Sequence, residues 1–223
     1  MLRTLTLTAM MMLTAFAVQA EVVEIDIPGS TERLLIDLPE GWTEAHSETK
    51  DAQTLIEYIP GGQTVENWDE MITVTLLTRK MPGENPHENL AKLWAVIFGK
   101  TVCREEPKNP AVTSSDRNGF PAAAYSLGCL VKPIAKQVPQ IYVRDYELIS
   151  GLVINGNDGI YQVQRAWHTD EFKINDAGMI EDGYAAAKKI AAVSEETSSF
   201  VQRMVLPCDT AKSDRPCTAP PEN

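Results

Sequence analysis

From Glu21 to Ile27 apolar and polar residues alternate, with Val23, Ile25 and Ile27 set against Glu24 and Asp26. A period of two predicts a half-buried β-strand. After a Pro-Gly-Ser turn, Leu34, Ile36 and Leu38 resume the alternation. Pro39-Glu40-Gly41-Trp42 then reads as a turn carrying a large aromatic. Thr54 to Ile59 predicts a third strand and Glu70 to Thr78 a fourth. The fourth puts Ile72, Val74 and Leu76 on one face and Thr73 and Thr75 on the other. Between these two lies YIPGGQTVENWDEMITV, Tyr58 to Val74. A phosphate cradle needs a glycine-rich turn that opens a helix, usually with a lysine. Here the glycines follow Pro60, no lysine is near, and a strand follows. The segment reads as a loop whose Trp68 folds back on the core. Glu66, Asp69 and Glu70 lack a cation-ligand spacing and read as solvated turn acids.

Asn85-Pro86-His87-Glu88 is a helix start, with Asn85 as cap, Pro86 at the first helical position and Glu88 completing a box-like pattern. Leu90, Leu93, Trp94, Ile97 and Phe98 recur at helical spacing, and Gly99 is a stop signal. This stripe is expected to lie across a sheet. Residues 101 to 121 are polar, contain three prolines and read as loop-rich. Ala122 to Val131 predicts a strand with Tyr125, Leu127 and Cys129 facing one way. Pro133 to Pro139 reads as a connection. Tyr142 to Asn155 alternates again, and Asn155-Gly156-Asn157-Asp158-Gly159 signals a hairpin turn before a returning strand, Ile160 to His168. A calcium loop beginning at Asn155 would need a glutamate at its twelfth position, which is Ala166. Tyr184 to Val193 is alanine-rich and predicts a helix, with a cap or break at Ser194. A further apolar stripe, Phe200, Val201, Met204 and Val205, ends at Pro207. The last six residues are expected to fray.

Composition narrows the function. The first twenty residues have a basic start, a short apolar middle and Val18-Gln19-Ala20 at the end, the pattern of a secretory signal cleaved near Ala20. The apolar stretch is too short and too threonine-rich for a bilayer span, so no membrane anchor is expected. Removing it takes away one basic residue and no acid, which moves the formal charge from −11 to −12. Such a surface repels phosphate backbones and excludes nucleic acid as a partner. The exported chain, periplasmic or secreted, then carries four cysteines in an oxidising compartment. Three pairings are possible, and the sequential one, Cys103–Cys129 and Cys208–Cys217, is expected. No CxxC occurs, which removes thioredoxin-like redox chemistry and the usual zinc spacing.

The chain carries few catalytic signatures. GxSxG, HExxH, GxGxxG and the Walker lysine pattern are all absent. His46, His87 and His168 are scattered. His168, followed by Asp170 and Glu171 at a strand end, is the one place where an imidazole and carboxylates could converge. Arg165 is in phase with Tyr161, Val163 and Trp167 and would need a carboxylate, Asp145 or Glu147 being candidates.

The element order and the LPEGW turn, Leu38 to Trp42, resemble the Mog1/PsbP/DcrB-like architecture, an antiparallel sheet flanked by helices. The segment Gly62 to Met71, with Cys103 and Cys129, is similar to an uncharacterised family of exported Gram-negative proteins that share a GQTxENWxEM stretch. The PsbP-like resemblance implies an accessory or binding component, and no catalytic residue carries over. The expectation is a signal peptide over 1–20, one α+β domain over 21–206 built on a twisted antiparallel sheet, and a disulfide-looped tail over 207–223. The expected role is an exported accessory or binding protein for an envelope protein or small ligand, with no cofactor and no metal. Trp42, Gln63, Trp68, Asp69, Glu70, His168 and Asp170 form its candidate surface. Two alternatives stay open: a small hydrolase or metal-assisted enzyme using His168 with Asp170 or Glu171, and an inhibitor or immunity-like protein. The latter would dock through Trp42 and Trp68 on adjacent exposed turns.

Overall fold

The computed structural model describes residues 21–79, 81–105, 110–132, 145–173, 175, 179–203, 205–212, 214 and 217. The expected signal segment 1–20, the connection 133–139, Tyr142, Met204 and the final residues 218–223 lie outside that set.

Ten strands and two helices are described. They run β1 (Glu21–Asp26), β2 (Glu32–Leu38), β3 (Trp42–Lys50), β4 (Gln53–Pro60), β5 (Glu70–Leu77), α1 (Pro86–Val102), β6 (Val112–Arg117), β7 (Phe120–Leu130), β8 (Tyr146–Asn155), β9 (Ile160–Thr169), α2 (Gly183–Arg203) and β10 (Val205–Asp209). The fold is α+β with antiparallel sheets and flanking helices, as the sequence pattern predicts. It contains two sheets rather than one. Seven strands pair in the order β3-β4-β5-β9-β8-β7-β6, and three in the order β1-β2-β10. The three-stranded sheet and α2 pack on one face of the large sheet, where Leu34, Ile36, Ile72, Val74, Tyr161 and Phe200 form one core. On the other face α1 covers β7 and β8, burying Leu90, Ala91 and Ala95 against Ala123, Ile149 and Val153.

The residues that bring α1 to the sheet are small. Ala91, Ala95 and Gly99, at i, i+4 and i+8, are all buried, whereas Leu93 and Ile97 are 49% and 46% exposed. The apolar stripe therefore overestimates the buried face. Gly99 does not stop the helix; it is buried, and the last turn runs on to Val102. The expected Asn85 cap is also absent. Asn85 has a left-handed backbone and makes no side-chain cap bond. Glu88 instead accepts from Ser114 Oγ at 2.5 Å.

Three strands go beyond the sequence pattern. β3 and β6 are the two edges of the large sheet, and nearly all their side chains are exposed. Polar on both faces, they carry no alternation to read. The stripe expected through Val205 ends as helix at Arg203, and β10 then pairs Val205 with Ile36 and Asp209 with Glu32. Helix α2 does not break at Ser194: it runs on to Arg203, and Thr197 Oγ1 donates back to the Val193 carbonyl within the turn.

Both disulfides follow the sequential pairing, with Cα–Cα distances of 5.5 Å for Cys103–Cys129 and 5.0 Å for Cys208–Cys217. The first ties the end of α1 to β7. The second closes a loop that leaves β10.

Candidate ligand cleft

Strand parity sorts the candidate residues onto opposite faces of the large sheet. On the α2 face β5 presents Glu70 next to Ile72, and β9 presents Arg165, which pairs with Ile72. The Arg165 side chain is only 8% exposed. Its Nε and Nη2 both donate to Glu70 Oε2, at 3.1 and 2.5 Å, and Nη2 also donates to Glu196 Oε1 at 2.6 Å. The rings of Trp42 and Phe200 each lie 5.6 Å from the guanidinium carbon. A buried cation held this way has its charge matched by carboxylates and its flat faces covered by aromatic quadrupoles. Asp145 and Glu147 are therefore not its partners. Arg165 pairs across the hairpin with Ser150, and odd-numbered β8 residues point to the other face of the sheet. Glu70 was legible as a partner, being in phase with Ile72, Val74 and Leu76.

Glu147 faces α1's side of the sheet and stands opposite His168, with Oε2 3.6 Å from Nδ1. Burial pushes the Glu147 carboxyl above its ordinary range, and His168 pulls it partly back. His168 is 1% exposed, bonds the Trp68 carbonyl through Nε2, and lies flat under the Trp68 indole at 3.8 Å. The loop between β4 and β5 is thereby folded onto the core, and Gln63 Oε1 accepts the Asp69 amide at 2.8 Å. Asp170 accepts the Asp145 amide at 2.9 Å, and the exposed Glu171 pairs with Lys189. The structure thus gives His168, Asp170 and Glu171 to three separate contacts. The other histidines are far apart in role. His46 is exposed beside Glu48, and His87, in the first turn of α1, is buried with its pKa lowered by desolvation.

Trp42 and Trp68 are both buried, at 8% and 7%, and belong to different cores on opposite faces. They do not form the exposed aromatic patch expected of adjacent turns, because each ring is taken up by a buried polar partner, Arg165 or His168. No group of three or more His, Cys, Asp or Glu among the described residues is arranged to hold a metal. No described helix is long and apolar enough to cross a membrane.

Arg165 also lines a cleft of about 480 Å³. One wall is the end of β2 and the turn after it, Asp37, Leu38 and Pro39. The other is α2, where Ala192, Glu195, Glu196, Ser199 and Arg203 recur at helical spacing. Phe200 closes the floor. A second cleft, about 520 Å³, lies by the β3–β4 turn against Leu77 and Met81, and its charged groups, Glu48, Lys50, Asp51 and Arg79, are exposed side chains. The smaller cleft is the stronger candidate, because only there does a buried, oriented charge face the opening.

No protein-family model matches the chain, and no curated protein matches it. Among solved structures it is similar to the Saccharomyces cerevisiae Ran-binding protein Mog1p, at 14% identity and a TM-score of 0.44, over 83% of this chain and 93% of that one. It is also similar to LpqN, involved in cell envelope biogenesis of Mycobacterium tuberculosis, at 12% identity and a TM-score of 0.36, over 81% and 90%.

Proposed function

We propose that this chain is an exported, non-catalytic binding or accessory protein of the bacterial envelope, and that the cleft between α2 and the end of β2 is its ligand surface. The observation that carries the reading is Arg165. Its Nε and Nη2 are held by Glu70 and Glu196, while Nη1 has no acceptor among the described residues and the group borders the cleft. A rigid scaffold that orients one buried charge toward an open concavity is suited to recognition. The secretory pattern of the first twenty residues and the two closed disulfides support residence in an oxidising compartment.

Native mass spectrometry of protein recovered gently from periplasm tests this. Wild-type protein should retain a ligand mass that the doubly substituted Glu195→Gln, Arg203→Ala protein loses. A ligand retained equally by both would place recognition elsewhere and contradict the reading.

A partner-protein reading rests on one different surface, the exposed Leu93 and Ile97 of α1. Leu93→Ser with Ile97→Ser should abolish a pull-down interaction if that face docks a protein, and unchanged capture would remove it.

A further inference from the structure

The charges around the cleft are mixed, and their arrangement selects a kind of ligand. Asp37, Glu195 and Glu196 bring three negative charges to the lining, and Arg165 and Arg203 bring two positive ones. Glu70 adds another carboxylate behind Arg165. A simple anion would meet this local excess and the −12 formal charge of the chain without residues 1–20. A simple cation would suit the rim, yet would face the positive charge of Arg165. A ligand with both signs satisfies both ends.

We propose, building on the assignment of this cleft as the ligand surface, that it binds a short peptide through its free termini. The ammonium sits against Glu195 and Asp37, and the carboxylate reaches Arg203. Arg165 Nη1 donates to a carbonyl or carboxylate oxygen between them. The separation of the two charged ends admits a short peptide. Glu195 and Arg203 lie eight residues apart on α2, a rise of about 12 Å. Arg203 reaches back one turn to Ser199 Oγ, and two to three extended residues, about 7–10 Å, cover the gap that remains. Glu196 is 62% exposed, so its carboxylate can leave Arg165 at little cost when a ligand oxygen arrives. The apolar part of the lining, Leu38, Pro39 and Phe200, gives small side chains a surface to rest on.

The test is titration of isotopically labelled, disulfide-intact protein with trialanine, N-acetyl-trialanine and trialanine amide, followed by amide and arginine side-chain NMR shifts. Trialanine should shift the Arg165 side-chain signal and amides of α2 near 192–203, and each blocked peptide should bind about tenfold more weakly. Arg203→Ala and Glu195→Gln, both exposed changes, should each weaken trialanine by about tenfold while leaving the spectrum folded. Equal binding of all three peptides, tighter binding of a blocked one, indifference to both substitutions, or no shift at ~10 mM peptide would each overturn the proposal. If trialanine fails while natively purified protein still holds a ligand sensitive to Arg203, the peptide class is wrong and the cleft stands. If neither is seen, the cleft assignment falls with it.

Discussion

Two carboxylates hold the same guanidinium, and burial says they should not count equally. Glu70 is 30% exposed and takes two bonds from Arg165, whereas Glu196 is 62% exposed and takes one. Breaking a fully buried ion pair from one side costs about 3–5 kcal/mol. Glu70 is partly hydrated and Glu196 remains as a counter-charge, so about 2 kcal/mol is expected for Glu70→Gln. Surface pairs contribute about 0–1 kcal/mol, and Glu196→Gln falls in that range. Urea unfolding followed by circular dichroism at neutral pH, with disulfides intact, measures both. The midpoint should fall clearly for Glu70→Gln and hardly move for Glu196→Gln, with the slope unchanged in each. Equal costs would refute the argument, since the cleft's accessible Glu196 would then be a structural partner rather than one a ligand can displace.

Four further outcomes follow from the same kind of reasoning. Glu32 is 1% exposed, and its carboxylate accepts the Asn157 and Asp158 amides at 2.6 and 3.1 Å, tying β2 to the β8–β9 turn; Glu32→Gln keeps one acceptor and should cost about 1–2 kcal/mol by urea unfolding. An added methyl at Gly151 would come within 2.3 Å of the buried Tyr125 ring, whose hydroxyl is fixed by Gln162 and Gln164, so Gly151→Ala should cost about 1–3 kcal/mol and shift the Tyr125 ring signals. Replacing Cys103 and Cys129 by serine should destabilise by about 3.5 kcal/mol and replacing Cys208 and Cys217 by about 2.6 kcal/mol, from chain separations of 26 and 9, as read by thermal unfolding. Burial raises the Glu147 pKa above 4.5, so the folded state binds that proton more tightly and wild-type stability declines as pH rises past 4.5. Glu147→Gln lacks this loss, so its stability relative to wild type should grow between ~pH 4 and ~pH 7; a constant difference would show that the carboxyl does not titrate differently on folding.

Much of the fold was legible because half-buried strands advertise themselves. β2 alternates residue by residue in its burial; β8 and β9, covered on both faces, were legible through their apolar runs and the hairpin residues after Asn155. The edges β3 and β6 were silent for the converse reason, since exposure on both faces erases any period. The buried face of α1 was misjudged because the pattern counts large side chains, whereas the small Ala91, Ala95 and Gly99 are among those buried. Of the candidate surface, Trp42 and Glu70 do meet, at Arg165. Trp68 and His168 meet on the opposite face. What separated them was parity, readable along one strand but usable only once strand pairing is known. The α2 wall of the cleft had no signal as a site, because Glu195, Glu196 and Arg203 look like any solvated helix face until β2 is packed beside them.

The most direct test of the cleft as the ligand surface is amide hydrogen exchange of the disulfide-intact protein, with and without the small-molecule fraction of a periplasmic extract. Added protection confined to residues 37–42 and 192–203, and lost in Arg203→Ala, is the predicted result. Protection centred instead on the 61–70 loop, on α1, or nowhere would contradict it.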